Sequence, residues 1–504
     1  MEHLENNVAS PSTIHAIAQI PTYLTFDDVL LLPQPSDVLP SAVSTTSQFT
    51  RNLQVKIPFV SAAMDTVTES SMAIAMAKSG GIGVLHRSMQ PESQADEVRK
   101  VKRASSLIIR QPITIKASET ILDARALMRS NNVHGLPVVD EHNKLVGILS
   151  TRDMRSASNL DEPVSKVMTT QLITAQEPIS PDDARKLMVE NKIEKLPLVK
   201  DGMLSGLMTL KDISQREKYP LANTDDEGHL LVAAAVGTDD STEFRVNELD
   251  SAGVDVIVID TAHGHSSRVL ETAKRIRKDY PDLQLIVGNI ATAGAAKDLL
   301  DIGVDAIKVG IGPGSICTTR VVAGVGAPQL SAIMDVFSAT KSSGVPIIAD
   351  GGIRHSGDAV KALAAGASTV MLGTMLAGCK ESPGEQIMRD GHLYKSFRGM
   401  GSLGAMKRGS RDRYFQDHME ADEDLESKLV PEGVEGMVPF KGDVRSVLYQ
   451  LAGGLRAGMG YIGAENIASM NANAHFVRVT AAALRENHPH DVIITHEAPN
   501  YNGS

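Results

Sequence analysis

The segment VGIGPGSICTTR holds Cys317 among three glycines, Gly310, Gly312 and Gly314. A thiol in a loop whose backbone turns sharply and approaches a ligand closely suits a covalent nucleophile. Backbone carbonyls of the same loop are also a candidate cage for a monovalent cation. Cys379, in LAGCKESPGE, follows another apolar run and reads as structural or surface. ADGGIR sets Asp350 at the end of an apolar run before paired glycines, and MLGT ends a second run at Gly373. Such ends present backbone N–H groups to a phosphate, while Asp350 suits ribose hydroxyls, because a carboxylate repels a phosphate. VIDTAHGHS gathers Asp260, His263 and His265. Two histidines two positions apart are zinc ligands in principle, but no third ligand pattern accompanies them. Asp260 suits a ribose or an amide instead, and Asn289 in IVGNIAT offers the same polar chemistry. No conventional GxGxxG strand–helix fingerprint is apparent, so a dinucleotide site cannot rest on that motif.

These segments share one grammar. PFVSAAMDTV, GGIGVLH, LLVAAAVG, DVIVIDTAHG, LQLIVGNIAT, DAIKVGIGPG, VPIIADGGIR and STVMLGTML are short apolar runs, most of them separated by helix-like stretches such as DAVKALAAG. Short strands alternating with helices predict a parallel α/β architecture. Two runs precede an interruption and six follow it, which is the eight needed for a closed (β/α)8 TIM barrel. A doubly wound sheet is the alternative. The chain of 504 residues is 42% hydrophobic and 22% charged, enough for a substantial core and against wholesale disorder. A net charge of −11 disfavours nonspecific nucleic-acid binding. Two cysteines give no disulfide framework, and no apolar run reaches a membrane-spanning length. A soluble cytoplasmic protein is expected.

The interruption carries an imperfect repeat. ITIKASETILDARALMRSNNVHGLPVVDEHNKLVGILSTRDM matches LITAQEPISPDDARKLMVENKIEKLPLVKDGMLSGLMTLKDI. Pro137 and Pro197 sit at matching strand starts, Gly147 and Gly206 in matching turns, and Asp153 and Asp212 after matching strands. The expected layout is an arm at 1–22, a catalytic barrel at 23–92 and 215–504, and an inserted pair at 93–214, split into 93–157 and 158–214. After the eighth run, KSFRGMGSLGAMKRGSRDRYFQ and ESKLVPEGVEGMVPFKG read as a long functional loop. From Val444 a closing pair of helices is expected. The paired modules resemble tandem cystathionine-β-synthase (CBS) domains, which implies ATP or GTP as a ligand there.

Together SAAMDTVTE, DTAHGHS, GIGPGSICTTR, ADGGIR, RGMGS, DRYFQ and PEGVEG closely resemble the IMP dehydrogenases of bacterial type, over nearly the whole chain after the arm. The resemblance implies oxidation of inosine 5′-monophosphate (IMP) by NAD, then hydrolysis to xanthosine 5′-monophosphate (XMP). It makes Cys317 the nucleophile at purine C2 and gives Thr319, Arg413 and Tyr414 to water activation. Glu432 becomes a purine-reading residue on a mobile flap, and Met64 packs around the substrate. Ser315, Asp350, Gly352, Gly373, Thr374 and Ser402 become nucleotide contacts. Asp260, Asn289 and Gly310 lie near the dinucleotide or the reacting centre. Potassium is implied on the backbone oxygens of Gly312, Gly314 and Cys317, joined by Glu486, Asn487 and His488 from a neighbouring subunit. That in turn implies a homotetramer, with a nucleotide-dependent octamer as a further assembly. Phe397 stands where the family commonly has Tyr, which removes one phosphate-binding hydroxyl. GMP reductase is the nearest alternative, and both the Arg413–Tyr414 loop and the inserted repeat are expected to argue against it. A nonenzymatic nucleotide sensor is the second alternative, and it leaves the cysteine loop unexplained.

Overall fold

The computed structural model describes residues 20–501, apart from 106–107, 132, 157–158, 415, 417–427 and 497. Most of the expected arm, residues 1–19, lies outside the described residues. Eight parallel strands close a barrel: β1 Phe59–Ser61, β2 Ile82–Leu85, β3 Ala233–Val236, β4 Val256–Asp260, β5 Gln284–Ile290, β6 Ala306–Val309, β7 Ile347–Asp350 and β8 Thr369–Leu372. The ring closes where β8 pairs with β1, Val370 opposite Phe59. The insertion is bridged where β2 pairs with β3, Val84 opposite Ala233. A closed barrel buries its strands on both faces, which is why these runs are apolar without alternation. β1, β2 and β3 are buried at every position. The doubly wound alternative is therefore excluded.

Caps fix where the outer helices start. Ser266 and Thr292 accept the N–H groups of Val269 and Ala295, opening helices Ser267–Asp279 and Ala293–Ile302. The closing element is one helix, Val444–Tyr461, followed by the short Ile467–Asn473, where a pair of helices was expected within the first of these segments. Its glycines serve packing. A β-carbon at Gly454 would overlap Ser356, and one at Gly458 would lie 2.7 Å from a Val360 methyl. Positions 454 and 458 stand one turn apart against 356 and 360 of helix Ser356–Ala364, so the two backbones approach closely.

Residues 99–231, with Ala77–Ser79, form a second compact unit. The boundary expected at 93 falls inside helix Pro91–Arg103, whose first turns belong to the barrel. There Gln94 Nε2 donates to Ala235 O at 2.9 Å, and Ala95 and Val98 are buried. Each repeat is a three-stranded sheet with a helix, Ile121–Ser130 in the first and Pro181–Glu190 in the second, and the second adds helix Leu210–Lys218. Strand Gly135–Val139 lies between Ile115–Lys116 and Leu145–Ser150, and Lys195–Lys200 lies between Ala175–Gln176 and Met203–Thr209. Both sheets carry a bulge at the same place, between Val138 and Val139 and between Leu198 and Val199. Gly147 and Gly206 are strand residues, opposite Val138 and Leu198, where turns were expected. A β-carbon there would press on Met168 or Ile108, respectively 2.5 and 2.7 Å away, so the glycines make room for an incoming chain. Those chains cross. Ile109, entering the first repeat, pairs with Leu207 of the second; Thr169, entering the second, pairs with Ile148 of the first.

The expected loop after β8 contains a sheet of its own. Gln386–Arg389, His392–Arg398 and Glu435–Pro439 pair antiparallel. Asp390 and Gly391, at φ 51° and 77°, form the two-residue turn of its hairpin. The dipeptide was a readable signal of that turn. Among the described residues no helix is long and apolar enough to cross a membrane.

Candidate active site

The C-terminal ends of the strands open on a cavity of about 630 Å3, within the range of small-molecule sites. Cys317, Thr319, Arg413 and Tyr414 all line it, as do Met64, Ser315, Asp350, Gly352, Gly373, Thr374 and Glu432. Asp260, Asn289, Gly310, Gly312, Gly314 and Phe397 line it too. Three expected residues do not. Ser402 is fully buried behind this wall, and its Oγ accepts the Ala405 N–H. Glu486 and Asn487 end a short helix away from the lining. Their neighbour His488 reaches the cavity of its own chain, with its ring 6.1 Å from that of His355.

The cysteine loop is set by where β6 ends. Gly310 has φ 152°, and a β-carbon there would overlap the carbonyl oxygen of Asp350. Only glycine lets β6 and β7 leave the barrel this close together. Cys317 is half-buried, and its Sγ donates to Thr319 Oγ1 at 3.2 Å. Ser315 Oγ and Thr374 Oγ1 lie 2.5 Å apart, so a hydroxyl from each of two strand ends meets at one point. The second loop is laced to the first. Thr318 N–H donates to Glu432 O at 2.9 Å, and Val434 N–H donates to Ile316 O at 3.1 Å. Arg398 grips Asp65 through Nε at 3.0 and 3.1 Å and through Nη2, which anchors the approach to Gly399–Gly401.

Beneath the cavity lies a charged network that sequence reasoning missed. Lys308 on β6 is 1% exposed, and its Nζ donates to Asp260 at 2.8 Å, to Asp350 at 2.9 Å and to Asn289. Asn289 Nδ2 donates to Gly310 O at 2.7 Å and to Asp350 at 2.9 Å. Gln329 Nε2 adds bonds to Val309 O and Asp350 O at 2.9 and 3.1 Å. One cation thus fixes three polar ends from β4, β5 and β7. The signal was present, since a lysine inside AIKV has no place in a buried strand without partners. Arg413 Nη1 donates to the other oxygen of Asp260. Burial pushes the Arg413 guanidinium below the ordinary arginine range, Arg87 acts in the same direction, and Tyr414 opposes them. Burial raises the Tyr414 phenol. Cys379 lies outside the cavity, fully buried, and desolvation pushes its thiol up to about 12, which keeps it protonated and inert. His265 pairs with Asp298 at 2.7 Å, and no group of three or more potential metal-binding side chains occurs among the described residues.

The fold and cavity define a (β/α)8-barrel enzyme with a cysteine and a positioned arginine facing one ligand space. The IMP dehydrogenase / GMP reductase domain family matches residues 23–490. The inosine-5′-monophosphate dehydrogenase of Aquifex aeolicus is 56% identical over 483 residues, covering 95% of this chain and 97% of that protein. That of Halalkalibacterium halodurans is 52% identical over 480 residues, covering 95% and 98%. A crystal structure of a Trypanosoma brucei GMP reductase variant with guanosine 5′-monophosphate superposes with a TM-score of 0.84 at 42% identity, covering 95% of this chain and all of that one. The chain belongs to the IMP dehydrogenase / GMP reductase family and, within it, to the bacterial-type IMP dehydrogenases. The reductase match corrects one expectation. The insertion is about a quarter of the chain, so an alignment over 95% of it includes most of the insertion. The inserted repeat therefore does not separate dehydrogenase from reductase.

Proposed function

We propose that the cavity performs both halves of NAD-dependent conversion of IMP to XMP. Cys317 Sγ adds to C2 of the purine, and C2 loses its hydrogen as hydride to NAD. The purine stays bonded to Cys317 as a thioimidate. Water then adds to C2, the C–S bond breaks, and the thiol is restored, so that IMP, NAD and water give XMP, NADH and a proton. The observation that carries this reading is the meeting of Cys317, Thr319, Arg413 and Tyr414 in one cavity. Thr319, Arg413 and Tyr414 activate the water. Glu432 reads the purine, and Met64 packs beside it. Ser315, Thr374, Gly352 and Gly373 hold the nucleotide, with Asp350 on the ribose. Asp260, Asn289 and Gly310 face the dinucleotide. Purified protein with IMP and NAD should yield NADH and XMP in equal amounts. The reductase reading, which the Trypanosoma brucei structure brings forward, requires NADPH-dependent release of ammonia from guanosine 5′-monophosphate instead. The two unpaired cysteines suit a reducing cytoplasm.

The same reading places potassium on the backbone oxygens of Gly312, Gly314 and Cys317, with Glu486, Asn487 and His488 supplied by a neighbouring subunit of a homotetramer, which requires His488 to leave the cavity of its own chain that it lines here. An all-carbonyl donor set suits a hard monovalent ion better than a transition metal. Gly312, at φ 75°, gives the loop the turn that a carbonyl cage needs. Replacing potassium by lithium at constant ionic strength should lower activity at least severalfold. Equal rates in the two salts would remove the ion from this role.

The insertion is read as a regulatory module that takes ATP or GTP between its repeats and shifts the barrel between tetramer and octamer. Its test must respect helix Pro91–Arg103. A deletion starting at 93 would strip Gln94, Ala95 and Val98 from the barrel. Excision of 104–219 with a short linker should keep IMP oxidation within a few-fold and abolish any nucleotide response. A response that persists would place the regulatory site elsewhere.

A further inference from the structure

The short turn Arg411–Tyr414 enters the barrel mouth with two adjacent side chains. Arg413 reaches Asp260 at the end of β4. Asp412 plunges the other way, to the ends of β2 and β3, and meets Arg87 at 2.7 Å with both side chains buried. Arg87 lies two residues past the end of β2, and Gly237 follows β3. A β-carbon at Gly237 would overlap Asp412 Oδ2 and lie 3.0 Å from Arg87 Nη1, so the seat exists because that residue is glycine. A second buried guanidinium stands behind it. Arg245 is held to the barrel by bonds to Gln94 Oε1 at 2.8 Å and Met89 O at 3.0 Å. Arg87 pairs with the Asp412 carboxylate, which arrives on the loop, and Arg245 stands within reach of it as well as of Asp239 and Glu92.

We propose that Asp412 is a positioning residue, and that its ion pair with Arg87 is the latch that seats Arg413 for hydrolysis. The inference rests on Arg413 serving the hydrolytic half-reaction. Asp260 connects the two. One of its oxygens is held by Lys308, and the other is taken by Arg413. While Arg413 occupies that oxygen, Asp260 cannot offer it to a dinucleotide. The turn must therefore leave for hydride transfer and return for hydrolysis. Leaving exposes Arg87 and Asp412 to water, where neither needs the other. Returning buries both, and a buried charge without its partner is strongly disfavoured. Removing one member of the pair thus acts on the seated state alone.

Single-turnover measurements on the full-length protein separate this latch from a general defect. Asp412→Asn should form NADH in the first turnover at close to the normal rate. It should then hydrolyse the Cys317 adduct about tenfold or more slowly, because Arg87 is stranded in the seated state. Gly237→Ala should do the same without touching a charge, by blocking the seat. Arg87→Met with Asp412→Leu removes both charges, and the pair should hydrolyse faster than the product of the single losses predicts. The normal first-turnover burst is the control for folding. Equal slowing of both stages would overturn the latch, as would normal hydrolysis in Asp412→Asn. If Arg413→Ala also hydrolyses normally, the underlying role of Arg413 has failed. If only Arg413→Ala is slow, the latch alone has failed.

Discussion

Cys317→Ala is expected to bind IMP and to lose turnover by on the order of 10^4-fold or more, the scale seen when an enzyme loses its nucleophile. Alanine leaves the loop intact, because Gly310 and the strand ends of β6 and β7 set its path. The methyl group cannot form the bond to purine C2 that lets hydride depart. Binding survives because Ser315, Thr374 and Asp350 face the cavity independently of the thiol. Mass spectrometry of the wild type during turnover should show a nucleotide bonded to Cys317, and the variant should show none. Cys379→Ala is the matched control. Its thiol is buried, protonated and outside the cavity, so turnover should stay within a few-fold. Normal turnover by Cys317→Ala would end the covalent reading.

Arg413→Ala should separate the chemistry into its two halves. The first NADH should appear rapidly, since Asp260 keeps its bond to Lys308 and gains a free oxygen. Hydrolysis should slow by about 10^2–10^4-fold, the usual worth of a positioned acid–base group. The Cys317 adduct should then become the dominant form of the enzyme at steady state. Rapid quench counts NADH against XMP, and mass spectrometry follows the adduct. An ordinary arginine is a poor base, but burial moves this one in the direction a base requires. The Cys317 thiol already donates to Thr319, which places a hydroxyl 3.2 Å from the sulfur that water must displace. A loss confined to hydride transfer, with no adduct accumulating, would remove Arg413 from the hydrolytic step.

The sequence by itself determined the eight strand runs, their division into two and six, and the doubled insertion, because burial on both faces forces uninterrupted apolar runs. It also singled out the cysteine loop and the glycine-rich strand ends, whose chemistry is local. It did not show the hairpin after β8, although Asp390–Gly391 marked the turn, nor that the segment from Val444 forms a single helix. Gly454 and Gly458 are packing residues only because Ser356 and Val360 stand opposite. Lys308 was visible as a charge out of place, yet its three partners come from β4, β5 and β7 and meet it only when the barrel closes. Asp412 gave no local sign at all. Its partner Arg87 lies on the far side of the insertion in the chain and beside it at the barrel mouth. Short-range patterns record which positions are buried and which turn. Only closure of the ring decides which charges are buried together, because a charge in a low-dielectric interior is tolerated only where a partner arrives from another strand or loop.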